Sequence, residues 1–99
     1  MVIVRTRVST SLVNAQVKVE CIGIFGGTFD PVHYGHLRAA VEAMEKLHLT
    51  DFRFLPAGTP PHRSITVASA EQRVAMLRLA LSPYPDLAVD EREVRREVL

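Results

Sequence analysis

The chain has a single cysteine, Cys21, among its 99 residues, so no disulfide can form within it and a reducing compartment is expected. It also lacks any apolar run approaching the roughly 18 residues that a membrane span requires. The first such run, Val2-Ile3-Val4, is far too short for the core of a secretory signal. These absences point to a soluble, cytoplasmic protein with no membrane partner. Charge of one sign is missing too. A formal net charge of +1 argues against a dedicated nucleic-acid surface, which would concentrate basic residues. No internal repeat or low-complexity segment is present, and the length allows one small domain or part of a larger one. Two phosphate-binding patterns are absent as well. Gly23, Gly26 and Gly27 do not have the G-x-G-x-x-G spacing, and no G-K-[ST] follows them.

What is present centres on Cys21 to His36, C-I-G-I-F-G-G-T-F-D-P-V-H-Y-G-H. An apolar run, Ile22-Gly-Ile-Phe25, stops at paired glycines, a polar turn Thr28-Phe-Asp-Pro31 follows, and a helical pattern then opens with two histidines. Strand, glycine turn and helix in that order put backbone N–H groups and imidazoles where an anion would sit. Gly26 and Gly27 carry no Cβ and let the main chain approach a ligand closely. His33 and His36, three apart at a helix start, would project from nearly the same face. The stretch reads as a site for a nucleotide's phosphates. As plain helix-capping or surface residues the two histidines would need no ligand, and as a zinc pair they would fall short of the three or four ligands that zinc takes.

Around this stretch the chain divides into an extension, residues 1–20, and an α/β segment, residues 21–99. Acids are scarce in the extension, where Glu20 stands against Arg5, Arg7 and Lys18. That faintly suggests an organelle transit peptide. The alternation in Arg5-Thr-Arg-Val8 and Gln16-Val-Lys-Val-Glu20 suits extended structure better, with the remainder disordered. A first strand is expected from about Val19 to Phe25, apolar on both faces as a central parallel strand must be. A helix over about Tyr34 to His48 would bury Leu37, Ala40, Val41, Met44 and Leu47 and turn Arg38, Glu42, Glu45 and Lys46 outward. Phe52-Arg-Phe-Leu55 reads as a second strand, which completes a βαβ unit. The proline-rich Pro56 to Ser64 is then a loop at a strand's carboxyl end, where open α/β sheets bind ligands, and it carries His62 and Arg63. A second helix starts near Ser69, with Gln72 three residues on as a capping box, and Val74, Leu77 and Leu81 form its apolar stripe. Asp86-Leu-Ala-Val89 is a short third strand. The charged tail from Asp90 to Glu97 reads as a solvated face.

The run Gly23 to His36 closely resembles the signature of the nucleotidyltransferase superfamily, whose hallmark is H-x-G-H after such a turn. With Pro60-Pro-His-Arg63, Ala70-Glu-Gln-Arg-Val-Ala-Met-Leu77 and the tail, residues 22 to 97 resemble the N-terminal half of bacterial nicotinate-nucleotide adenylyltransferases. The resemblance implies a Rossmann-like nucleotidyltransferase fold, truncated here to about three parallel strands with two helices. It implies transfer of an adenylyl group from ATP to nicotinate mononucleotide, with magnesium, giving nicotinate adenine dinucleotide and pyrophosphate. In that reading His36 and His33 are catalytic and contact the ATP phosphates. Gly26, Gly27, Thr28 and Phe29 frame the nucleotide, and His62 and Arg63 are candidates for substrate phosphates. The alternatives are a non-catalytic nucleotide-binding module, or an adenylyltransferase for nicotinamide mononucleotide or phosphopantetheine. Where this chain reaches Leu99 the family continues into the other half of the sheet, with a second signature, I-S-x-T-x-I-R. The first strand's far edge is therefore expected to pair with the valine-rich extension, or with a second copy of the chain in a homo-oligomer.

Overall fold

In the computed structural model of the chain, residues 2–10, 17–58 and 66–96 are described. The sheet is built outward from β2, Val17–Gly27, which pairs in parallel with β3, Asp51–Pro56, from Ile22↔Asp51 to Gly27↔Pro56. Gly23 allows this approach. A Cβ there would lie 2.5 Å from the Phe52 ring and 2.7 Å from Leu49, so the apolar neighbours occupy the space a side chain would need. β4, Leu87–Val89, adds in parallel to β3, and β1, Val2–Thr10, lies antiparallel on the other edge of β2. The order is β1-β2-β3-β4.

The expected parallel strands are thus present, with a fourth, antiparallel strand from the valine-rich segment. That strand takes the edge of β2, one of the two outcomes anticipated for it. β2 also begins earlier than expected, so the boundary drawn after residue 20 falls inside a strand. Cys21 on this strand is half-buried rather than buried. On β3 the two faces are separated cleanly: Phe52, Phe54 and Pro56 are buried, while Asp51, Arg53 and Leu55 are half-buried on the other side.

Two helices cover the Phe52 and Phe54 face. α1, Tyr34–Leu47, and α2, Ala70–Leu81, supply Ala40, Leu77 and Leu81 to one core with Phe29, Leu49, Phe52, Phe54 and Leu87. The stripe read for α2 is buried as expected, and Ser69 with Gln72 forms its capping box. The stripe read for α1 fails at its end, where Leu47 is 53% exposed. His48 there adopts a left-handed conformation (φ 51°), which turns the chain so that Leu49 enters the core instead. The charged tail forms a short helix, α3, Arg92–Arg95. It is not merely a solvated face, because Glu91 receives both Arg78 of α2 and Arg95. Among the described residues no helix is long and apolar enough to cross a membrane.

Candidate active site

The turn after β2 is shaped by residues that each meet a different constraint. A Cβ on Gly26 would meet nothing within 4 Å among the described residues. A Cβ on Gly27 would lie 3.2 to 3.5 Å from the Phe29 ring, so this glycine serves packing instead. Phe29 has φ 53°, a left-handed conformation that costs a side-chain-bearing residue on the order of 1 kcal/mol. Its ring is 3% exposed and sits against Phe25, Phe54 and His36 at centroid distances of 5.4, 5.3 and 5.0 Å. Burying an aromatic ring among others stabilises by more than that cost, which fixes the reversal in place. The Asp30–Pro31 peptide bond that follows is cis.

The two histidines then start α1 by capping it. His33 is the N-cap residue, and its Nδ1 accepts the Gly35 amide at 3.1 Å. The Nδ1 of His36 accepts the His33 amide at 3.0 Å, which completes a reciprocal box usually made by a hydroxyl and a carboxamide. The rings stack with centroids 3.9 Å apart. Because each Nδ1 accepts, a neutral ring carries its proton on Nε2, and each histidine keeps one N–H donor beyond the cap. Gly35 is required by this geometry. A Cβ on it would lie 2.9 Å from Cε1 and 3.0 Å from Nδ1 of His33, whereas Tyr34 beside it is 84% exposed and unconstrained. Burial against Phe25 and Phe29 and the neighbouring His33 lower the His36 pKa from its ordinary value, which favours the neutral donor form at neutral pH.

Two residues that the sequence reading passed over tie α2 to this turn. The Asp30 carboxylate accepts the amides of Val67 and Ala68 at 2.6 and 2.9 Å. Arg73 is fully buried, and its Nη1 donates to the carbonyls of Thr28 at 2.9 Å and Ala57 at 2.8 Å. Its Nε and Nη2 have no hydrogen-bond partner among the described residues. A signal for Arg73 was available, since it stands four residues before Leu77 and eight before Leu81, on the helix's apolar stripe.

Of the site residues expected from sequence, Gly26, Gly27, Thr28, Phe29, His33 and His36 come together at the carboxyl end of β2. Thr28 and His33 are exposed there, and His36 is half-buried. His62 and Arg63 lie outside the described residues. Among the described residues no three His, Cys, Asp or Glu side chains gather to hold a metal ion. The turn offers imidazole and amide donors, and Asp30 is already engaged by two amides, so these residues do not form a magnesium site of their own. One surface hollow of about 460 Å³, lined by Val32, His33, Tyr34 and Leu37 among others, adjoins the start of α1. Another of about 620 Å³, lined by Asp51, Arg53, Asp90, Glu91, Arg92 and Arg95 among others, opens beside α3.

A mostly parallel sheet with a glycine turn and a donor-lined helix start at the carboxyl end of β2 defines a Rossmann-like α/β domain. The cytidylyltransferase-like family model matches residues 24–99, and the chain belongs to that family. It is 60% identical over 73 residues to a Laribacter hongkongensis protein named "Probable nicotinate-nucleotide adenylyltransferase", a match covering 74% of this chain and 33% of that one. Proteins of the same name from Aeromonas hydrophila and Pseudomonas entomophila are 54% and 46% identical over 76 and 84 residues. Those matches cover 77% and 85% of this chain, and 36% and 38% of the relatives. The chain thus spans little more than a third of the length of the curated relatives it matches.

Proposed function

We propose that this chain carries the triphosphate-binding part of a nicotinate-nucleotide adenylyltransferase of NAD biosynthesis, working in the cytoplasm. A phosphate oxygen of nicotinate mononucleotide attacks the α-phosphorus of ATP in line. The bond from that phosphorus to the β-phosphate bridging oxygen breaks, and pyrophosphate leaves with the electron pair. Such a transfer asks the protein chiefly for positioning and charge stabilisation. His33 and His36 donate from Nε2 to the phosphates, with His36 acting on the charge that builds at the reacting phosphorus. The N-terminus of α1 adds roughly half a positive charge. Gly26, Gly27, Thr28 and Phe29 frame the nucleotide through their backbone, and His62 and Arg63 contact the phosphate of the mononucleotide. Magnesium would enter with the triphosphate, whose oxygens suit it.

The observation that supports this reading most is the histidine box. Both Nδ1 atoms accept backbone amides, which leaves each neutral ring its Nε2–H as a donor. A second reading, nucleotide binding without turnover, is favoured by the limited share of each relative that the chain spans. Calorimetry with ATP tests binding by the 99-residue chain. Pyrophosphate release on adding nicotinate mononucleotide separates turnover from binding alone, and nicotinamide mononucleotide or phosphopantetheine in its place tests the substrate. In any catalytically active form, His36→Ala should lower kcat by roughly 100-fold or more while ATP affinity changes only a few-fold. Near-normal kcat in that variant would remove the role given to His36.

A further inference from the structure

Arg73 is wholly buried without a carboxylate partner among the described residues, and it uses only Nη1, for two carbonyls. Stability alone does not account for it, since an apolar side chain of similar length would avoid leaving Nε and Nη2 unsatisfied. Its two acceptors are informative. Thr28 follows β2 and Ala57 follows β3, so one nitrogen joins the loops at the carboxyl ends of two neighbouring parallel strands. In a trans peptide the carbonyl and the next N–H point in opposite directions. A guanidinium that draws the Thr28 and Ala57 carbonyls inward therefore turns the amides of Phe29 and Gly58 the other way. Neither amide has an acceptor among the described residues. Phe29 is moreover held in a left-handed conformation, as expected where surrounding structure dictates a turn.

We propose that Arg73 is a positioning residue. By anchoring the Thr28 and Ala57 carbonyls, it aims the Phe29 and Gly58 amides at the phosphates bound beside the glycine turn. The inference rests on the phosphate site proposed above. Both anchoring bonds come from one nitrogen, so a lysine ammonium can replace them, whereas an apolar side chain cannot.

The test measures ATP affinity and thermal stability for the 99-residue chain and for its Arg73→Met and Arg73→Lys variants. Amide spectra are recorded with and without ATP. Arg73→Met should weaken ATP binding by roughly tenfold or more with its melting temperature unchanged or raised, and Arg73→Lys should restore affinity to within about threefold of the parent. A role in filling space alone predicts the reverse order, with methionine the better substitute. ATP affinity in Arg73→Met within about twofold of the parent would overturn the proposal. Should Arg73→Met not fold, the parent still decides, because ATP must shift the Phe29 and Gly58 amides, and their indifference to bound ATP would overturn it too. A parent chain that binds no ATP sinks the phosphate-site reading instead. The anchoring is then judged without nucleotide: the Thr28 and Ala57 carbonyl carbon resonances should move as lost hydrogen bonds require in Arg73→Met but stay near the parent's in Arg73→Lys, and carbonyl resonances unmoved in Arg73→Met would overturn it.

Discussion

The Nδ1 of His36 can accept the His33 amide only while it carries no proton, so the cap of α1 and the charge state of one ring are coupled. Burial first, and His33 second, hold the pKa of this ring below its ordinary value of 6.5. A histidine that resists protonation when folded binds fewer protons than its unfolded counterpart in acid. Its contribution to stability is therefore complete above about pH 6.5 and is lost as the pH falls through the lower folded value. Glutamine at this position can also close a capping box, but it does not titrate. His36→Gln should therefore flatten the fall in stability between about pH 7 and pH 5 while leaving stability at neutral pH nearly intact. Urea denaturation at several pH values measures this, and equal slopes for parent and variant would rule out the coupling. Capping was one role open to these histidines from the sequence, but the coupling of the cap to a ring's charge was not legible. The capping signal in a sequence is a hydroxyl followed by a carboxamide or carboxylate, and here two imidazoles do the same work.

At the scale of elements, the second helix is held by its approach as much as by its packing. The Asp30 carboxylate grips the amides of Val67 and Ala68, although Val67 itself is 95% exposed. Hydrogen bonds to a charged acceptor contribute more than neutral ones, so Asp30→Ala should destabilise the chain by about 1–3 kcal/mol. Exchange of the first amides of α2 should quicken more than that of the β2–β3 ladder, and uniform quickening would show a global effect instead. The three parallel strands and the two longer helices were readable from period and caps, with Ser69 and Gln72 marking the start of α2. Arg73 was readable only as a position on the apolar stripe, because an arginine there looks like an interruption until its carbonyl partners, 16 and 45 residues away in sequence, are known. α3 escaped for a similar reason. Alternating charges look solvated until Arg78 of α2 is seen to reach Glu91.

For the molecule as a whole, β1 decides how β2 meets its surroundings. It pairs along β2 from Val2↔Phe25 to Thr10↔Val17, but β3 supports β2 only from Ile22 onward. The far half of this ribbon has two strands and leaves Val8, Val17 and Val19 at least half exposed. Two strands without a third are marginal in water, so the ribbon depends on its continuity with the sheet. Removing residues 1–16 should bare the outer edge of β2 and make the shortened chain associate with itself as concentration rises. Light scattering across a dilution series reads this out, and a shortened chain that stays monomeric would show that β1 is dispensable.

The backbone groups along one side of a strand can satisfy a single neighbour at a time. With β1 seated there, any further strand seeking a place beside β2 must wait until the resident peels off. Such an exchange would proceed at the resident's own departure rate, and supplying more of the newcomer would not hasten it beyond that ceiling.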